Sequence, residues 1–97
     1  MNTNAFQKSY FKTELNKIAE KVFPDLVLEL NEIGESLSIS DLIDRIDNEL
    51  NKYEFFDEFS GLDMIEQYEL IEEVSREFLE RENSFSQLEV QEQLNLV

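Results

Sequence analysis

The sequence predicts an all-α fold: a small antiparallel bundle of about four helices, followed by a short C-terminal helix or an extended tail. Three observations lead there. Apolar residues recur at steps of three and four along most of the chain, the period of a helix buried along one face. Only two glycines and one proline are present, and Pro24, Gly34 and Gly61 fall where helices would be separated. Hydrophobic residues make up 41% of the 97 positions and eight are Phe, enough for a modest core and unlike a disordered acidic segment. The length suits one domain over residues 1–97.

The first helix is expected over residues 5–22, where Phe11, Leu15, Ile18 and Val22 form one stripe. Pro24 should break it, because proline removes a backbone donor and is tolerated only in the first turn of a following helix. From Asp25 to Ile33, the residues Leu26, Leu30 and Ile33 share helical spacing, although the run Leu26-Val27-Leu28 also suits a strand. Gly34 is the expected C-terminal cap. Ser38 or Ser40 should cap a helix over residues 40–55, with Asp41 and Asp44 in its first turn, where the helix dipole favours anions. Its buried stripe is Leu42, Ile43, Ile46, Leu50 and Tyr53, and the run to Gly61 reads as a turn. The longest helix follows over residues 62–82, with Met64, Ile71, Val74 and Phe78 on one face and Asn83 and Ser84 ending it. Residues 85–97 read either as a short helix capped by Ser86, with Glu89 completing a capping box, or as an extended segment.

Charge narrows the functional classes more than any motif does. The chain carries a net charge of −15. Residues 1–21 hold Lys8, Lys12, Lys17 and Lys21 against Glu14 and Glu20, whereas residues 22–97 hold four cations against 21 carboxylates. Such a surface repels phosphate backbones and anionic lipid headgroups, so direct nucleic-acid or membrane binding is not expected. The absence of Cys fits a reducing compartment, and no stretch resembles a signal peptide or a membrane span. The expected location is the cytoplasm.

The chain also lacks the usual reactive groups. There is no His, which removes Ser-His and Cys-His nucleophile pairs, the common zinc sites and the Glu-x-x-His ligands of di-iron bundles. Glycine at only two positions rules out a glycine-rich phosphate loop. The register Asp47, Glu49, Asn51, Glu58 imitates a calcium loop, but Lys52 stands where that loop needs Gly. No catalytic residue, metal ligand or cofactor is expected.

The most specific pattern is an acidic ladder. Glu66, Glu69, Glu73, Glu77 and Glu80 recur at steps of three, four, four and three on the last helix, opposite its apolar stripe. The ladder would extend about 21 Å along the axis. Like charges at this spacing cost roughly 0.2–0.5 kcal/mol per pair, offset in part by Glu72 with Arg76 and Glu77 with Arg81. Glu is a strong helix former and exposed faces are commonly charged, so a solvated face is the plain reading. Against it, ordinary solvated helices mix both signs, and Lys is nearly absent here. Fixed negative charges along a rigid helix resemble a nucleic-acid strand to a protein that binds phosphates.

Two further features compete for a role. If the third helix runs through Phe55, that ring faces solvent beside Asp41, Asp44, Asn48 and Asn51 and would anchor a basic partner. The alternative is that Tyr53, Phe55, Phe56 and Phe59 plug the end of the bundle, with at least two of the three Phe residues in the core. The lysines of the first helix are expected to pair with carboxylates of neighbouring helices and relieve repulsion.

In size and composition the chain is similar, in general character, to the phage anti-restriction and anti-CRISPR proteins that mimic DNA; no motif assigns it to a family. The resemblance implies an acidic inhibitor that occupies the basic, nucleic-acid-binding surface of another protein; the spacing and charge patterns above give Glu66, Glu69, Glu73, Glu77, Glu80, Asp41, Asp44 and Phe55 as its expected contacts. An immunity protein or antitoxin covering a basic nuclease demands the same electrostatics. A helical adaptor bound through its apolar tail, which would also serve as a homodimer contact, is the third class. Enzymatic activity is not expected.

Overall fold

The computed structural model describes the backbone of residues 5–96 and the side chains of residues 5–82. Four α-helices make up the fold: α1 (Ala5–Ile33), α2 (Ile39–Glu49), α3 (Phe56–Phe59) and α4 (Met64–Leu96), with a 3₁₀ turn at Leu50–Lys52 between α2 and α3. The described residues contain no strand, so the all-α bundle is the observed class.

Pro24 does not end α1. The helix is continuous for 29 residues with Pro24 inside it. Phe11, Leu15, Ile18, Val22, Leu26 and Leu30 are all buried at steps of three or four, so the apolar register passes through the proline unbroken. Pro24 and Glu20 are both exposed, which lets water satisfy the Glu20 carbonyl that loses its helical donor. Continuous burial on one side outweighs the missing bond on the other. Ile33, expected in the stripe, is instead exposed on the last turn of α1. Gly34 then stops the helix at φ +72, in the left-handed region that favours glycine. The Glu35 amide donates to the Leu30 carbonyl at 2.9 Å and the Gly34 amide to that of Asn31 at 3.2 Å, a Schellman ending.

Ser38 caps α2 in a full capping box. Its hydroxyl accepts from the Asp41 amide at 3.4 Å, and the Asp41 carboxylate accepts from the Ser38 amide at 3.0 Å. Helices α1 and α2 run antiparallel, since Lys21 meets Glu49 and Glu29 meets Arg45.

The helix expected over residues 40–55 stops at Glu49. After the 3₁₀ turn, Tyr53 takes an extended conformation at φ −110, ψ 145 and redirects the chain. A continuous helix would have left Phe55 in water on the same side as Asp44, Asn48 and Asn51. The break turns Phe55 and Phe59 inward instead, where both pack on Phe11 with centroids 6.3 and 5.4 Å away. Aromatic burial thus decides where the helix ends.

Helix α4 buries Leu70, Ile71, Val74, Ser75, Phe78 and Leu79 against α1 and α2. Asn83 and Ser84 do not terminate it, and the backbone remains helical to Leu96. Both residues are only mildly unfavourable in a helix, and no Gly or Pro follows Gly61. The tail is therefore neither a separate helix nor an extended segment. Its side chains, and with them the expected homodimer contact, lie outside the described residues. Phe11, Leu15, Ile18, Leu42, Ile46, Leu50, Ile71, Val74 and Phe78 all belong to one buried cluster, as their spacing predicts.

Candidate functional site

Six of the eight cations pair with carboxylates of the same chain. Lys12 of α1 reaches across to α4 and contacts Glu73 at 3.1 Å and Glu77 at 3.4 Å. Arg45 of α2 pairs with Glu29 of α1. Glu49 draws two partners: Lys52 at 3.0 Å from Oε1 and Lys21 at 3.6 Å from Oε2. Lys17 pairs with Glu14 at 2.9 Å within α1, and Arg76 with Glu72 within α4. Arg81 does not take Glu77, its expected partner. It donates to the side chain of Asn16 at 2.7 Å and lies over the Phe78 ring, 5.6 Å from the centroid. Lys12 and Lys21 thus bridge helices, as expected of the N-terminal lysines.

These contacts set the directions of the perturbed titrations. Hydrogen bonding to Glu73 raises Lys12 above the ordinary 10.5, against a smaller opposing effect of burial. The Lys52 ammonium holds Glu49 below the ordinary carboxylate value, with Lys21 helping and burial opposing. The Arg45 guanidinium does the same for Glu29. In each case the cause is an ion pair at a helix contact.

The ladder is present but unequal along its length. Glu69, Glu73, Glu77 and Glu80 are exposed and Glu66 is half-buried. Glu73, Glu77 and Glu80 form one wall of a groove whose other wall is α1, with Lys8, Lys12 and Lys17 on it. The middle of the ladder is partly neutralised by Lys12, while Glu69 and Glu80 carry no ion pair among the described residues. The spacing of the glutamates was legible in the sequence; the lysine opposite them was not, because it lies 61 residues away in the chain.

The remaining predicted residues divide. Asp44 is exposed on α2, as is Asp47. Asp41 is half-buried and its carboxylate is engaged in the capping box, so its first task is to start α2. Phe55 is only 4% exposed and is no surface anchor. Its burial corrects the expectation that it faces solvent.

The exposed apolar residues lie elsewhere. Met64, placed by its spacing on the apolar face of this helix, is 76% exposed, and Ile65 and Tyr68 beside it are 66% and 54% exposed. Met64 and Tyr68 continue the stripe Ile71, Ser75, Phe78 at steps of four and three. The periodicity is real, but Met64 and Tyr68 are exposed on the first turns of α4, whereas the same face is buried from Ile71 onward. Amphipathic spacing identifies a face and does not reveal where its covering neighbours stop.

The stretch of sequence that carries this patch is strongly acidic. Between Arg45 and Arg76 the chain holds ten carboxylates and the single cation Lys52, itself paired with Glu49. Among the described residues no carboxylate group is arranged to hold a metal ion, and no helix is long and apolar enough to cross a membrane. No protein-family model, curated protein or solved structure matches this chain.

Proposed function

We propose that this chain is a small acidic inhibitor that occupies the basic, nucleic-acid-binding surface of another protein. One observation carries the reading: six of the eight cations are committed to carboxylates of the same chain, leaving a surface dominated by negative charge. A net charge of this size opposes compaction by self-repulsion, a cost that a role in binding a polycation explains. The helical scaffold supports the reading by holding carboxylates at regular spacing, so little ordering entropy remains to be lost on binding. Neutralising a nuclease toxin would use the same surface.

The test compares two charge variants against a nucleic-acid-binding partner captured from cells that encode the protein. Glu69→Gln with Glu80→Gln removes two unpaired ladder charges. Glu73→Gln with Glu77→Gln removes the two that Lys12 already partly neutralises. Association rate and its salt dependence report steering charges. The first pair should slow association and flatten the salt dependence more than the second. Equal, negligible effects from both would remove the ladder from the interface.

A further inference from the structure

We infer that the exposed face at the start of α4, formed by Met64, Ile65 and Tyr68, is the anchor of the binding surface, and that it fits a basic protein face whose Arg or Lys residues surround an apolar pocket. The inference rests on the function proposed above and specifies the partner's chemistry.

The three residues make one patch. Met64 and Tyr68 are four apart and Ile65 and Tyr68 three apart, so their side chains are neighbours on the helix surface. The patch prolongs a stripe that is buried from Ile71 onward, and it is the part of that stripe that the bundle leaves bare. Tyr is enriched at binding hot spots, and Met adapts to irregular pockets. Both are costly to leave in water unless something covers them.

Charge selects the occupant. Asp63 precedes the patch and Glu69, which carries no ion pair among the described residues, lies one turn beyond Ile65; Glu72, one turn beyond Tyr68, is already held by Arg76. An apolar centre with a carboxylate rim complements an apolar pocket rimmed by cations, and the Tyr68 ring also offers a face to a guanidinium. A second copy is disfavoured, because two chains of charge −15 would bring like rims together. The chain's own tail is excluded as well. Residues 85–96 continue the same helix and run away from Met64 rather than folding back on it.

The experiment uses two synthetic peptides of equal length and charge: an amphipathic Arg/Leu helix and an Arg/Ser counterpart without apolar residues. The full chain is compared with a variant carrying Met64→Gln, Ile65→Gln and Tyr68→Gln, substitutions at exposed positions that retain good helix formers. The parent should bind the Arg/Leu peptide at least about tenfold more tightly than the Arg/Ser peptide, and the variant should lose that difference while binding the Arg/Ser peptide as before. Sedimentation should show a monomeric parent at low and high salt. Equal affinity of the parent for both peptides, or a preference that survives in the variant, overturns the anchor and leaves the polyanion reading standing. Failure to bind either peptide at low salt overturns that reading itself. A dimer that tightens with salt and dissolves in the variant assigns the patch to a second copy and also overturns the inference.

Discussion

Phe59, on the four-residue helix α3, meets Phe11 of α1 edge-on, with ring centroids 5.4 Å apart and planes at 79°. Both rings are almost fully buried, and Phe55 lies against each of them. This aromatic cluster closes the end of the bundle where the chain turns from α2 toward α4. Phe59→Ala should destabilise the domain by about 3–5 kcal/mol through lost burial and the cavity left behind. Denaturant titration followed by far-UV dichroism measures it. A loss below about 1 kcal/mol would place Phe59 outside the core.

Most of the architecture was legible at the level of faces and not of boundaries. Leu15, Ile18, Leu42, Ile46, Val74 and Phe78 could be assigned to the core because helical periodicity reports burial directly. Pro24 and Tyr53 could not be placed correctly, because each is a contest between local preference and distant packing. At Pro24 the packing of Val22 and Leu26 prevails over a lost hydrogen bond. At Tyr53 the pull of Phe11 on Phe55 and Phe59 ends a helix that local spacing would continue. The candidate surface divides in the same way. The ladder followed from spacing alone, whereas its partial neutralisation by Lys12 and the exposure of Met64 depend on which helices meet.

Ser75 is wholly buried on α4, and its hydroxyl has no hydrogen-bond partner among the described residues. Ser75→Ala removes an unsatisfied polar group from the core and improves helix propensity. Stability should rise by roughly 0.5–2 kcal/mol. A fall in the denaturation midpoint would mean that the hydroxyl is bonded.

The continuity of α1 is tested at its proline. Because Pro24 sits in the interior of an exposed helix face, Pro24→Ala should restore a donor to the Glu20 carbonyl and stabilise the fold by about 1–3 kcal/mol. If α1 were instead two helices broken at this point, the substitution would change little.

Acid should act through Glu49 in a defined direction. Lys52 and Lys21 hold its folded-state value below the 4.5 of the unfolded chain, so the ionised form is favoured by folding. That contribution is complete at neutral pH, begins to fade as pH falls toward 4.5, and is gone below the lowered value. Glu49→Gln should therefore be less stable than the parent at pH 7 by up to about 1 kcal/mol, as for a surface ion pair. The gap should close as pH falls below that lowered value. Melting curves of both proteins across that interval decide it, and a gap that persists at low pH would contradict an electrostatic origin.

If the chain occupies a nucleic-acid-binding surface, it must compete with nucleic acid for that surface. A partner captured from extract at low salt is purified and saturated with labelled nucleic acid, and the chain is then titrated in. The nucleic acid should be displaced as one copy of the chain binds per site, with an apparent affinity that falls steeply as ionic strength rises. A ternary complex in which partner, nucleic acid and this chain remain bound together would contradict it.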